Sequence, residues 1–369
     1  MRKLSIVHTE SSLGWGGQEI RILSESKGLI ARGHEVKLLT PPEARIFGAA
    51  REWGVPVLPM PIAKKRLTAL KFLVEWFRDN PCDVVSTHSS TDSWLSAIAM
   101  LVLGKPYPIV RTRHISAPVP TNFLSRWLYT RAARRVVTAG EALKRELVER
   151  NGFPASRIDS VPTGIDAKRF QPGDKAAART ALNLPHGLLV GIVATLRSWK
   201  GHRYLIAALP EGAQLVIVGD GPQRDSLEGQ VKTLRLENRV RFAGNQADVV
   251  PWLQALDVFA LPSYANEGVP QALVQAMLVG LPCVTTAVGS IPELAKNGET
   301  ALVVPPQDAP ALKTALQRLI ADEALRRRLG EAARRHCEAG YSYERMLDRM
   351  EEIYASVAGV PLMRPAGAG

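Results

Sequence analysis

The sequence predicts an α/β protein made of two doubly wound domains. Short apolar runs of strand length alternate with helix-length amphipathic segments along the chain, the pattern of parallel sheets covered by helices on both faces. The length, 369 residues, suits two domains of ordinary size. Several of the loops that follow strands carry glycines, cations or a carboxylate, at the end of the sheet where doubly wound folds bind ligands.

Residues 4–8 read as the first strand. The loop Gly14-Trp15-Gly16-Gly17 leads into a helix over 20–31. Such a loop is either a tight turn or a place where backbone approaches a ligand. Strands follow at 36–39, 84–87 and 109–113, alternating with helices at 44–53, 67–78 and 93–103. His114 stands just past the fourth strand, where both a structural and a ligand-binding role remain open. A further strand at 136–138 runs into a helix over 142–150.

In the second half, residues 188–194 form a strongly apolar strand followed by Arg197 and Lys200, which flank a strand-to-helix turn. A strand over 214–218 ends in Gly219-Asp220-Gly221-Pro222, and short strands follow at 240–244 and 258–261. Pro270 then suits the start of a helix because it needs no amide donor there, and Gly280 suits its end. A strand at 283–286 follows at once, and helices at 309–321, 323–338 and 342–357 close the chain.

The start of the helix at Gln271 and Ala272 favours an anion. Its first amides lack intrahelical partners, and the macrodipole adds roughly half a positive charge. Arg197 and Lys200 would clamp a diphosphate electrostatically. Glu267, just ahead of this helix, either caps it or accepts hydroxyl hydrogen bonds from what the phosphate carries. A sugar phosphate satisfies all of these groups.

Several classes lack their signatures. There is no phosphate loop ending in Gly-Lys-Ser/Thr, no nucleophile elbow, no His-Glu-x-x-His and no Asp-x-Asp. A dinucleotide fingerprint would need glycine where Arg224 stands. Cys82, Cys283 and Cys337 are odd in number and lack metal-ligand spacing, as expected of reduced thiols in a cytoplasmic protein. No apolar run approaches the ~20 residues needed to span a bilayer, and the opening residues read as a strand, not a signal peptide.

Charge is uneven. Residues 1–170 hold 26 Lys and Arg against 15 Asp and Glu, a balance of +11, while residues 171–369 hold 21 against 20, or +1. Two segments concentrate it: 64–78, where Leu67, Leu70, Val74 and Phe77 recur at helical spacing behind Lys64, Lys65 and Arg66, and 123–135, which mixes Phe123, Trp127 and Tyr129 with arginines. Amphipathic helices of this kind suit an anionic membrane interface, or they are core faces with a solvated basic rim. A nucleic-acid binder is the alternative from a different class, although no DNA or RNA motif is present.

The stretch from Asp257 to Glu293 resembles the nucleotide-sugar site of retaining glycosyltransferases with the GT-B architecture, family 4. The first of that family's two signature glutamates falls on Glu267, and Gln275 occupies the second position. An amide there still bonds ribose hydroxyls, without charge assistance. Arg197 and Lys200 stand closer together than the family's Arg and Lys.

The resemblance implies two Rossmann-like domains facing a cleft: residues 1–170 on the acceptor side with a returning helix at 342–358, residues 171–341 on the donor side, and a flexible tail at 359–369. It implies transfer of a sugar from a nucleoside diphosphate sugar to a glycan or lipid-linked acceptor, with no cofactor and no metal. Catalysis would involve Glu267, His114, Arg197 and Lys200, with His114 bonding the donor sugar. Gly16, Gly17, Gly219, Gln271, Ala272 and Gln275 would line the donor, with the backbone near Arg241 reading the base.

By analogy, the expected setting is lipopolysaccharide or another envelope glycan, in the cytoplasm or peripheral on the inner face of its membrane. A glycogen-synthase-like polymerase and a sugar-nucleotide epimerase share the fold and remain alternatives.

Overall fold

The computed structural model describes residues 2–104 and 107–361. The chain divides into two compact units. One runs to Pro162 and takes back the segment from Glu344, and the other is Thr163–Tyr343.

The first unit is built on a seven-stranded, all-parallel sheet: β1 (Ser5–Thr9), β2 (Glu35–Thr40), β3 (Val57–Pro59), β4 (Val84–Thr87), β5 (Ile109–Arg113), β6 (Ala133–Thr138) and β7 (Ile158–Ser160), in the order β3-β2-β1-β4-β5-β6-β7. Ile6 lies opposite both Val36 and Val84, and all four residues of β4 are buried. Strands covered by helices on both faces need apolar residues throughout, which explains the uninterrupted apolar runs.

The second unit has a six-stranded parallel sheet: β8 (Leu189–Val193), β9 (Gln214–Val218), β10 (Val240–Gly244), β11 (Val258–Leu261), β12 (Cys283–Thr286) and β13 (Leu302–Val304), in the order β10-β9-β8-β11-β12-β13. Its core joins Ile192, Ile217, Phe259 and Val284 to Leu273 and Met277. Strand order reverses between β1 and β4 in the first unit and between β8 and β11 in the second. Such switch points open a crevice at the carboxyl ends of the strands.

The carboxyl-terminal helix Tyr343–Ala358 belongs to the first unit. Tyr354 is wholly buried and donates its hydroxyl proton to Glu25 (2.7 Å), and Ser86 Oγ lies 3.0 Å from the same hydroxyl. Glu351 accepts from Arg32 and meets His34 at 2.8 Å. Arg21, also wholly buried, pairs with Glu25 (3.6 Å) and donates to the Val161 carbonyl (2.6 Å). Buried charges survive only when paired in this way.

Some sequence expectations change. The division falls at Pro162–Thr163, ahead of residue 170, because Ile165 and Phe170 are buried in the second core and Ile165 pairs with Ser342. Residues 123–135 are not one amphipathic helix. A short helix, Phe123–Trp127, passes into a π-helical turn, Leu128–Ala132, and β6 then begins, so Arg134 and Arg135 lie on a strand and Arg135 pairs with Asp159 at 2.6 Å. The first helix starts at Gly17. Strands β3, β7 and β13 are three residues each, too short to leave a periodic signal. Most of the expected tail, from residue 362 on, lies outside the described residues.

Candidate active site

In the second unit, chemistry collects at the switch point. After β8 the chain makes a 3-10 turn, Ser198–Lys200, and the Tyr264 amide donates to the Trp199 carbonyl (2.8 Å), tying this turn to the loop after β11. Lys200 Nζ thereby meets Glu267 Oε1 at 2.6 Å, and Ser263 Oγ donates to the same oxygen at 2.6 Å. Glu267 is buried while Lys200 stays partly open. Oε2 of Glu267 accepts from no other described residue.

Two glycines hold the loops together. Gly289, after β12, has φ +57°, and a Cβ on it would stand 2.0 Å from the Glu267 carbonyl oxygen. Gly219, after β9, has φ +133°, and a Cβ there would stand 2.1 Å from the Ala194 carbonyl oxygen. Glycine at 219 thus has a packing reason whatever it does for a ligand.

Pro270 caps the helix Gln271–Leu278 with extended backbone. Gln271, Ala272 and Gln275 are half-buried at its first turns, with Gln271 and Gln275 one turn apart on one face. Arg197 is exposed against the Trp199 ring (5.7 Å).

Arg241 departs from the expectation. It lies near the amino end of β10, where its guanidinium donates to the Leu182 (2.9 Å) and Asn183 (2.8 Å) carbonyls and covers the Trp252 ring at 5.5 Å. These contacts lie at the opposite end of the sheet from Lys200 and Glu267, and they give Arg241 a structural role.

The first unit carries a polar cluster at its own switch point, most of which sequence reasoning missed. Asp92, in the capping box of the helix Ser90–Leu103, accepts from Thr9 Oγ1 (3.0 Å), Ser11 Oγ (3.1 Å) and the amides of His88 and Ser89 (both 2.9 Å). Glu10 accepts from Ser89 Oγ (2.6 Å), the Ser12 amide (2.6 Å) and Gln18. Burial, then the neighbouring Asp92 charge, pushes the Glu10 carboxyl up to about 8, and burial raises Asp92 to about 6.

Gly16 and Gly17 begin the helix that brings Gln18 to this cluster. The backbone at Gly16 is extended, so its conformation alone does not demand glycine.

His114 lies beside the cluster in a chain of three imidazoles. His8 Nδ1 is 2.8 Å from His88 Nε2, and His88 Nδ1 is 3.1 Å from His114 Nε2. Burial lowers the pKa of all three. The available signal was position: His8, Glu10 and His88 sit at or just beyond the ends of the two strands that flank the switch point.

Among the described residues no group of three His, Cys, Asp or Glu could hold a metal, and no helix is long and apolar enough to cross a membrane. The three cysteines are free thiols.

Two doubly wound parallel domains, each with its polar residues at the switch point, are the GT-B architecture, a fold class that glycosyltransferases use. Residues 15–169 match the Glycosyltransferase Family 4 model and residues 174–336 match Glycosyl transferases group 1, so the chain joins these two domains. It is 28% identical to the D-inositol 3-phosphate glycosyltransferase of Nocardia farcinica, over 92% of this chain and 85% of that one. Identity to the glycogen synthase of Mycobacterium tuberculosis is 29%, over 74% of this chain and 68% of that one. The fold is similar to that of Anabaena HepE in complex with UDP-glucose, with a TM-score of 0.86, 22% identity, and coverage of 96% of this chain and 100% of that one.

Proposed function

We propose that the protein transfers a sugar from a nucleoside diphosphate sugar, with retention of anomeric configuration, to a glycan or lipid-linked acceptor of the cell envelope, lipopolysaccharide being one such product. The observation that carries this reading is the Lys200–Glu267 pair, 2.6 Å apart beside the start of the helix Gln271–Leu278.

In this mechanism the bond from the anomeric carbon to the diphosphate breaks, and negative charge develops on the leaving oxygens. Lys200, Arg197 and the helix start at Gln271 and Ala272 meet that charge without a metal ion. Lys200 and Ser263 hold one oxygen of Glu267 and leave the other for the sugar, where it steadies positive character at the anomeric carbon. The acceptor oxygen forms the new bond, and its proton passes to the departing phosphate. In the second unit Gln275 bonds the ribose; in the first, His114 is the group that bonds a sugar hydroxyl, and Gly16 and Gly17 are the candidates for a phosphate. Gly219 serves by holding the loop after β8, and Arg241 is not part of the site.

Thermal-shift titration with UDP, GDP, ADP, CMP and NAD tests the donor class. A ligand at about 100 times its Kd stabilises by ~2.7 kcal/mol. The expected result is a rise with one nucleoside diphosphate and none with NAD. A rise with NAD alone would contradict the proposal.

The first unit docks on anionic lipid in the same reading. Leu67 and Phe123 are 85% and 79% exposed, and Phe72 and Leu124 are also exposed. Lys65 lies over the Trp94 ring (5.7 Å) and Trp94 stacks on Trp127 (5.8 Å), which joins these segments into one basic and apolar surface. Co-sedimentation with anionic against neutral vesicles tests it.

A further inference from the structure

Three strands of the first unit each deliver a histidine to one line. His8 is the fourth residue of β1, His88 directly follows β4 and His114 directly follows β5. The rings of His8 and His88 meet edge to edge, with centroids 5.1 Å apart and 7° between their planes, and those of His88 and His114 lie 5.3 Å apart. His8 and His88 are buried and His114 is half-buried. A lone buried histidine satisfies itself with a backbone carbonyl. Here each ring instead spends a nitrogen on another ring, and only the last one reaches the surface.

A neutral imidazole carries one N–H and one lone pair. His88 uses both nitrogens within the chain, so it accepts on one side and donates on the other. The two bonds therefore run in the same direction, and the protonated nitrogen of His8 decides that of His114. Burial keeps the rings neutral. The Arg21 and Arg113 guanidiniums add to this at His114, and Arg21 does so at His88, while Glu25 opposes it at His8. Tyr354 meets the His8 ring at right angles.

The direction follows from the far end. His8 Nε2 is buried and has no hydrogen-bond partner. An N–H stranded there would go unmet, and orphaned buried N–H groups are rare. The proton of His8 therefore sits on Nδ1 and is donated to His88 Nε2. His88 Nδ1–H is donated to His114 Nε2, and the proton of His114 is left on Nδ1, which has no partner among the described residues.

We propose that His88, backed by His8, is a positioning residue that locks His114 in its Nδ1–H tautomer and so presents a hydrogen-bond donor, at the carboxyl end of β5, to a hydroxyl oxygen of the sugar. The proposal rests on His114 being the sugar-bonding group. Free neutral histidine favours the proton on Nε2, so the chain imposes the less common form.

Long-range proton–nitrogen NMR of the full chain, labelled at histidine, reads the tautomers directly. The expected spectrum has a protonated Nδ1 and a bare Nε2 on His114, and in His88→Leu the His114 signals move toward the Nε2–H form. Turnover in His88→Leu falls about tenfold, the loss of one hydrogen bond's worth of orientation, with little change in donor KM. His88→Asn, whose amide N–H replaces Nδ1–H, recovers most of it.

An Nε2–H form of His114 in the wild type overturns the proposal. So does a folded His88→Asn that is as slow as a folded His88→Leu. If His88→Leu fails to fold, the wild-type spectrum and His88→Asn decide. An intact Nδ1–H signature together with wild-type turnover in His114→Ala would remove the sugar-bonding role of His114 and spare the lock, so the two failures are distinguishable.

Discussion

Glu10 and Glu267 show how one residue type serves two ends. Each is buried, at the switch point of its own unit. Glu267 has a cation at 2.6 Å, while Glu10 has hydroxyl, amide and backbone donors but a second carboxyl, Asp92, as its charged neighbour. Its folded pKa, about 8, stands above the ordinary 4.5, so the stability it contributes is complete below 4.5 and is lost as pH rises toward 8. The buried histidines have lowered pKa values, so their contribution is present above 6.5 and is lost as pH falls. Between pH 6.5 and 8 the carboxyl governs. Denaturant titrations should show the wild type weakening across that window and Glu10→Gln holding level. A parallel decline in both would contradict the assigned ionisation.

The positions of Glu267, Lys200 and His114 at strand ends were legible at this scale because a family motif or a strand end marked them. Glu10, His8 and His88 were not. Each joins its polar cluster only through partners that the sequence places roughly 80 positions away.

Among the elements, the helix Gln271–Leu278 was readable to within a residue because proline and glycine punctuate it. The backbone near Arg241 was expected to read the base, yet Arg241 lies near the amino end of β10, and a strand's residue list does not say which of its residues reach the ligand-binding end of the sheet. The segment 64–78 was read correctly only in part. Its helix, Leu67–Asp79, turns Val74 and Phe77 into the core, as a bland amphipathic reading requires, yet leaves Leu67 and Phe72 outside. Exposed large apolar groups beside Lys64, Lys65, Arg66, Arg126 and Arg131 match an anionic interface, worth about 1 kcal/mol per cation near the surface. Anionic vesicles should therefore sediment the protein, neutral vesicles should not, and Leu67→Ser with Phe123→Ser should weaken the effect. Equal binding to both vesicle types would remove the membrane reading.

For the whole molecule, two parallel sheets with the same logic of strand order explain why residues far apart in sequence gather at two crevices. That much was legible, since alternating strands and helices admit few other arrangements. The return of the helix Tyr343–Ala358 to the first unit was implied by family resemblance alone. Its physical cause, the buried contacts of Tyr354 and Glu351 with Glu25 and His34, lies outside any local pattern.

In the proposed reaction the carboxylate held by Lys200 and Ser263 addresses a sugar and not its nucleotide. Measuring sugar transfer and nucleoside diphosphate affinity side by side in Glu267→Gln tests this most directly. Turnover should fall by on the order of 10²-fold or more with nucleotide affinity unchanged. Turnover within a few-fold of wild type, or an equal loss of nucleotide binding, would contradict it.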